Sequence, residues 1–287
     1  MIIDVLGADG QLGNELRCLS KQYLSHHFVF SDIKDVNICE PDSLRKHFET
    51  VSPDVVINCA AYTQVDKAES EAETAELVNH RAVELLADLS KEFAFFLFHI
   101  STDYVFDGCA CQPYLESDTP SPLSVYGATK RRGEEAILQN AGRAVIIRTS
   151  WLYSSFGNNF VKTMLRLGQE RPELRVVCDQ IGSPTYAADL ARVILQFLPR
   201  LQEIDEVMLF HFTNEGVCSW YDFARAIVSR LPQACKVTPI ESKDYPSAAR
   251  RPFYSVLNKR KIKSFLSIEI PHWEDGLSRC LEILLKN

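Results

Sequence analysis

IIDVLGADGQLG, residues 2–13, passes from a run that is apolar except for Asp4 into a turn carrying three glycines and then into an amphipathic stretch. Such a run reads as a buried strand, because a strand covered on both faces needs no polar alternation. Gly7, Gly10 and Gly13 stand where the chain turns and lets a pyrophosphate approach the backbone, with the next helix N-terminus aimed at the negative charge. The spacing is GxxGxxG and not GxGxxG, so a plain tight turn is the competing reading of the glycines alone.

Working outward, similar short runs recur at 27–31, 54–58, 94–100, 144–149 and 207–212. Helical patterns lie between them near 11–22, 41–50, 71–91, 125–140 and 186–199. This alternation predicts an α/β fold: a doubly wound parallel (Rossmann) sheet with a smaller C-terminal α/β substrate lobe. The expected division is 1–150 for the dinucleotide-binding domain, with 186–213 returning to it, and 151–185 with 214–287 for the lobe. In the lobe the patterns predict helices at 158–170, 219–231 and from about 273, a strand at 175–178, and an irregular segment running through Pro252.

A formal charge of −7 argues against a nucleic-acid partner, which wants a basic face. The nine cysteines have no metal-finger spacing and read as reduced thiols. No run reaches the length of a membrane span and no leader pattern precedes Ile2, so the expected location is cytoplasmic. None of the seven histidines falls in a ligand spacing such as HExxH.

Asp32, 19 residues beyond Gly13, ends the second run where a carboxylate could bind an adenosine ribose, or could be a solvated turn residue. A carboxylate there repels a 2′-phosphate while Lys34 attracts one, so NADPH and NADH both stay open. Ala60 and Ala61, after the third run, would let backbone pack flush against a cofactor, although packing alone explains small residues. The fourth run ends in Ser101-Thr102-Asp103-Tyr104, at the sheet edge where ligands of open α/β folds bind. Tyr126 and Lys130 lie i and i+4 on the next helical stretch and share a face. An ammonium beside a phenol stabilises the phenolate and brings a group that titrates near ~10 closer to neutrality, which suits a general acid.

Glycine turn, small strand end, Ser-Thr and YxxxK in this order resemble the short-chain dehydrogenase/reductase superfamily in its extended form. The chain is most similar to the dTDP-4-dehydrorhamnose reductase family through GADGQLG (7–13), NCAAYTQVDKAES (58–70), ISTDYVFDG (100–108), PLSVYGATKRRGE (122–134), RTSWLYSSFGNNFVKTML (148–165), DQIGSPT (179–185) and RPFYSVL (251–257). The resemblance implies hydride transfer to C4 of a 4-keto nucleotide sugar, with Tyr126 as proton donor, Lys130 on the nicotinamide ribose and Thr102 on the 4-oxygen. It extends the cofactor set to Gln11, Leu12, Asp35, Val36 and Tyr62, and lines the sugar pocket with Val65, Asp103 and Trp151. Asn159 and Arg251 join the substrate set, Arg251 because a guanidinium matches a diphosphate; Asn158 reads as a helix cap. It also offers Glu15 as a magnesium ligand near a dimer contact, so Mg2+ and a homodimer are further expectations.

Three rivals remain. A dehydratase would need a glutamate where Tyr104 stands. An epimerase would recycle its cofactor. A non-catalytic regulatory subunit would be expected to lack the Thr102, Tyr126 and Lys130 set.

Overall fold

The computed structural model describes residues 1–233 and 235–286. A parallel six-stranded sheet forms its centre. Its first strand, β1 (Ile2–Leu6), lies between β2 (His27–Ser31) and β3 (Val55–Asn58), followed outward by β4 (Phe96–Thr102), β5 (Ala144–Thr149) and the strand Val207–His211. Because the chain places β2 on one side of β1 and β3 on the other, a crevice opens at the carboxyl ends of β1 and β3. That is where open α/β sheets bind ligands.

Alternate residues of each strand supply opposite cores. Ile3, Val5, Ile57, Phe98 and Ile147 pack under helix α1 (Gln11–Ser20) and the helix Ala187–Gln196. Leu6, Val56, Leu97 and Ile146 pack on the other face with Leu44 and Phe48 of α2 (Pro41–Val51) and Val83 and Leu86 of the helix Ala82–Glu92. Both faces are covered, which is why the strands read as continuous apolar runs.

The helix expected over 71–91 is broken: α-helical Ala72–Glu76 and Ala82–Glu92 flank a π-helical turn, Leu77–Arg81. The break coincides with a tertiary contact. Gly133 of the helix Val125–Asn140 comes so close that a Cβ would lie 2.3 Å from the Asn79 carbonyl, and the Asn79 amide turns to Tyr62 and Thr129.

A third core, with Tyr153, Val161, Phe223, Ile227, Trp273 and Leu277, gathers the helices Phe160–Glu170, Trp220–Val228 and Trp273–Lys286 into the lobe. Two sequence expectations need correction. The segment read as irregular contains the strand Lys236–Ile240, which pairs parallel with Glu173–Val177; Pro239 is tolerated because a two-stranded sheet is all edge. The lobe assignment of 214–287 is too broad, since Ile262, Leu266 and Ile270 pack into the core of the first domain.

Candidate active site

One cleft of about 720 Å³ runs from the glycine turn past the carboxyl ends of β3, β4 and β5 to the lobe. Gly7 has φ +73°, and a Cβ there would sit 2.6 Å from the Ala60 nitrogen, so β1 and β3 can meet only at a glycine. Gly13 is equally constrained, its missing Cβ facing the Ala8 backbone at 2.6 Å. Helix α1 starts after Gly10 with no side-chain cap and no acidic residue in its first turn, leaving its leading N–H groups for an anion. These features fit a dinucleotide pyrophosphate.

Of the residues assigned to a cofactor, Gly10, Gln11, Leu12, Ala61, Tyr126 and Lys130 line the cleft. Gly7, Gly13 and Ala60 shape the turn from beneath. The Asp32 carboxylate, at the end of β2, accepts from Asp9 N at 2.8 Å and Ile33 N at 2.8 Å, beside the glycine turn. Asp35 is exposed and caps Asp32 N, Val36 is buried in the core, and Tyr62 donates its hydroxyl to Glu71 at 2.6 Å. None of those three lines the cleft.

At the reacting end, β4 delivers Thr102, which caps a short 3-10 turn through Tyr104 N and donates to Asp103 Oδ1 at 3.1 Å. The Ser124 side chain starts the helix that carries Tyr126 and Lys130. Tyr126 shares a hydrogen bond with the Thr102 hydroxyl, and burial pushes its phenol up to about 12. The sequence reading expected Lys130 to pull it the other way. Instead the Lys130 ammonium, 2% exposed, reaches Ile100 O at 2.6 Å and His99 Nε2 at 3.2 Å, and burial lowers it to about 8. Asp103, 1% exposed, is pushed up to about 7 by burial, offset in part by the Ser255 and Thr102 hydroxyls. Its Oδ2 accepts no hydrogen bond, so a polar atom buried at the cleft stands ready for a ligand donor.

Val65 and Trp151 also line the cleft. Trp151 has φ +48° and stacks on Trp220 at 3.6 Å between ring centres, 11° from parallel. Trp220 escaped the sequence reading, although a Ser219/Asp222 capping box marks the start of its helix. Asn159, not Asn158, is the helix cap: its Oδ1 accepts from Lys162 N, while its Nδ2 donates to Gln11 Oε1 at 2.9 Å and ties lobe to glycine turn. Asn158 is exposed. Arg251 borders the cleft but forks onto Asp66, with Nη2–Oδ2 2.6 Å and Nη1–Oδ1 3.0 Å. Gln180, Arg175 and Tyr245, also unread from the sequence, complete this wall.

The magnesium expectation gains no support. Glu15 is 6% exposed, burial raises its carboxyl above the usual range, and Oε1 accepts from Ser154 Oγ at 2.5 Å. Among the described residues no group of three His, Cys, Asp or Glu side chains could hold a metal ion.

A parallel sheet with an anion-ready glycine turn, and a Tyr-Lys pair facing the end of its fourth strand, define a nicotinamide-dependent oxidoreductase of the short-chain dehydrogenase/reductase type. Residues 1–286 match the family model described as the RmlD substrate binding domain. A dTDP-4-dehydrorhamnose reductase of Aggregatibacter actinomycetemcomitans is 40% identical over 281 residues, covering 95% of this chain and 96% of the relative. Among solved structures, a dTDP-4-dehydrorhamnose reductase of Clostridium acetobutylicum superposes with TM-score 0.94 at 39% identity, over 99% of this chain and 100% of that one. A Bacillus anthracis dTDP-4-dehydrorhamnose reductase in complex with NADP gives TM-score 0.92 at 37% identity, over 98% of each chain. The chain belongs to the RmlD family, that of the dTDP-4-dehydrorhamnose reductases.

Proposed function

We propose that this enzyme reduces the C4 ketone of dTDP-4-dehydro-L-rhamnose to give dTDP-L-rhamnose, with Tyr126 as the proton donor. The observation that carries the reading is the Tyr126 phenol, hydrogen-bonded to Thr102 at the carboxyl end of β4 and kept protonated by burial. A phenol held at about 12 is loaded as an acid throughout neutral pH, and an alkoxide formed at C4 is a far stronger base than its phenolate. When bound, NADPH supplies the hydride. Thr102 Oγ1 would orient the keto oxygen between itself and the phenol. The unpartnered Asp103 Oδ2 is placed to accept from a sugar hydroxyl, and Val65 and Trp151 would exclude water beside the ring. Lys130, on the cleft floor, would bind the nicotinamide ribose.

NADPH is the reductant we propose, by likeness to the Bacillus anthracis relative in complex with NADP. Asp32 beside the turn is what would favour NADH, so the two are to be compared in one assay. The nucleotide sugar is the partner in this reading, the cytoplasm the compartment where both substrates are found, and a homodimer the assembly that sedimentation would test. No helix of the described residues is long and apolar enough to cross a membrane.

The dehydratase alternative loses further ground: burial pushes the Tyr104 phenol well above its ordinary value, so it cannot exchange protons near neutrality. The reading is tested by mixing the purified protein with dTDP-4-dehydro-L-rhamnose and NADPH and following the nicotinamide absorbance. Stoichiometric loss of NADPH is expected. Absence of turnover sinks the reduction and leaves a regulatory subunit; turnover without net cofactor consumption points to an epimerase.

A further inference from the structure

Beneath the cleft a chain of buried polar groups leads to Lys130, and each link has a direction. The Ala60 N–H donates to Asn58 Oδ1 at 3.1 Å. That bond fixes which end of the Asn58 amide faces where: Nδ2, a donor only, is turned to His99 Nδ1 at 3.2 Å. His99 Nδ1 must therefore offer its lone pair. His99 is 0% exposed, and burial, the largest cause, drives its basicity well below the ordinary histidine range, so the ring is neutral. A neutral ring accepting at Nδ1 carries its proton on Nε2. Nε2 is the atom 3.2 Å from Lys130 Nζ.

An Nε2–H faces an ammonium badly, because both groups are donors and neither has a free lone pair. It faces a neutral amine well. Reversing the chain to suit the ammonium would turn the Asn58 amide over and set its NH2 against the Ala60 N–H, moving the conflict to the cofactor turn. Asn58 is 1% exposed, and no Asn58–His99 arrangement with a charged Lys130 satisfies every group.

We propose that His99 is a positioning residue that acts through Lys130, turning Nε2–H toward it so that the lysine gives up its proton more readily than it would beside an acceptor. The other charged groups around Lys130 do not remove the effect. Glu134, four residues along the same helix, favours the ammonium, but its carboxylate is forked by Arg148 of β5, with Nε–Oε1 2.8 Å and Nη2–Oε2 2.6 Å. Tyr126 is uncharged at neutral pH, and Asp103 acts on Tyr126 and not on Lys130. The lysine lies at about 8, burial being the largest cause, so small changes in the His99 link move it across the working range. This assignment rests on the reductase reading only for its kinetic test.

Nitrogen-15 NMR of the wild-type protein, with His99 assigned by its loss in His99→Gln, distinguishes the tautomers directly. Nε2 protonated and Nδ1 unprotonated at pH 7 is expected; the opposite tautomer, or a charged ring, overturns the proposal whether or not the protein turns over sugar. If His99→Gln does not fold, the wild-type ring is assigned through its neighbours and the same signals decide. In kinetics, loss of activity as pH rises reports deprotonation of Lys130. A glutamine can turn its carbonyl to the ammonium, so His99→Gln should move that limb upward by about one pH unit. A lower rate with the limb unmoved means that His99 only fills space, and overturns the proposal.

Discussion

On the cofactor side of the cleft the surface is backbone: Gly7 and Gly13 remove side chains where β1, β3 and α1 converge, and the leading N–H groups of α1 are uncapped. On the substrate side the surface is side chains from distant segments, with Trp151 stacked on Trp220 and Arg251 forked onto Asp66. A backbone wall tolerates almost no substitution, because its shape is that of the main chain. A side-chain wall can be retuned residue by residue without disturbing the sheet. Tyr126 and Lys130 stand where the two meet.

The largest expected effect is at that junction. Tyr126→Phe should lower kcat by roughly 10²–10⁴ while NADPH affinity, measured by fluorescence titration, stays as it was; near-normal turnover would show that another group delivers the proton. On the backbone wall, Gly7→Ala must place a Cβ 2.6 Å from Ala60 N at φ +73°. It should cost more than about 1 kcal/mol of stability in a denaturant titration and weaken NADPH binding; a variant that binds NADPH normally would mean that the turn yields. On the side-chain wall, Trp220→Ala should raise KM for the nucleotide sugar about fivefold, the worth of about 1 kcal/mol of aromatic contact, with NADPH affinity unchanged. An equal loss on both substrates would erase the distinction between the walls.

The pH dependence of stability gives an independent signal at the junction. Asp103 titrates at about 7 in the fold against 3.8 for the ordinary group, so its contribution is fully present below 3.8 and is lost as pH rises through about 7. Thermal melts of Asp103→Asn should lose less stability than wild type across that window; parallel curves would refute the raised carboxyl. Smallest of all, Asp66→Asn opens a pair whose members are 46% and 20% exposed, and should change stability by under about 1 kcal/mol. Because it frees Arg251, it should also lower KM for the nucleotide sugar. A higher KM would show that the pair holds Arg251 in place.

Much of the backbone wall was legible in the chain. The run Ile2–Leu6 followed by three glycines is local, and the i, i+4 spacing of Tyr126 and Lys130 survives as the helix Val125–Asn140. The side-chain wall was legible only in part. Trp151 and Arg251 could be singled out, but nothing near them in sequence announces Trp220 or Asp66 as their partners. The choice between Asn158 and Asn159 as cap was equally hidden, because Gln11, far away in the chain, takes the Asn159 amide.

By itself the sequence determined which segments become the strands of the central sheet, where the chain can turn onto a pyrophosphate, and which residues can exchange a proton, since periodicity, glycine and functional group are properties of neighbours in the chain. The π-helical break at Leu77–Arg81 shows only in the tertiary structure, where Gly133 of another helix leaves room for the Asn79 carbonyl. Tertiary structure alone also set the protonation of Tyr126 and Lys130. The phenol is raised, and the lysine turned to His99 and Ile100 O, because burial and hydrogen-bond direction are fixed only when β4 and the helix Val125–Asn140 close on each other.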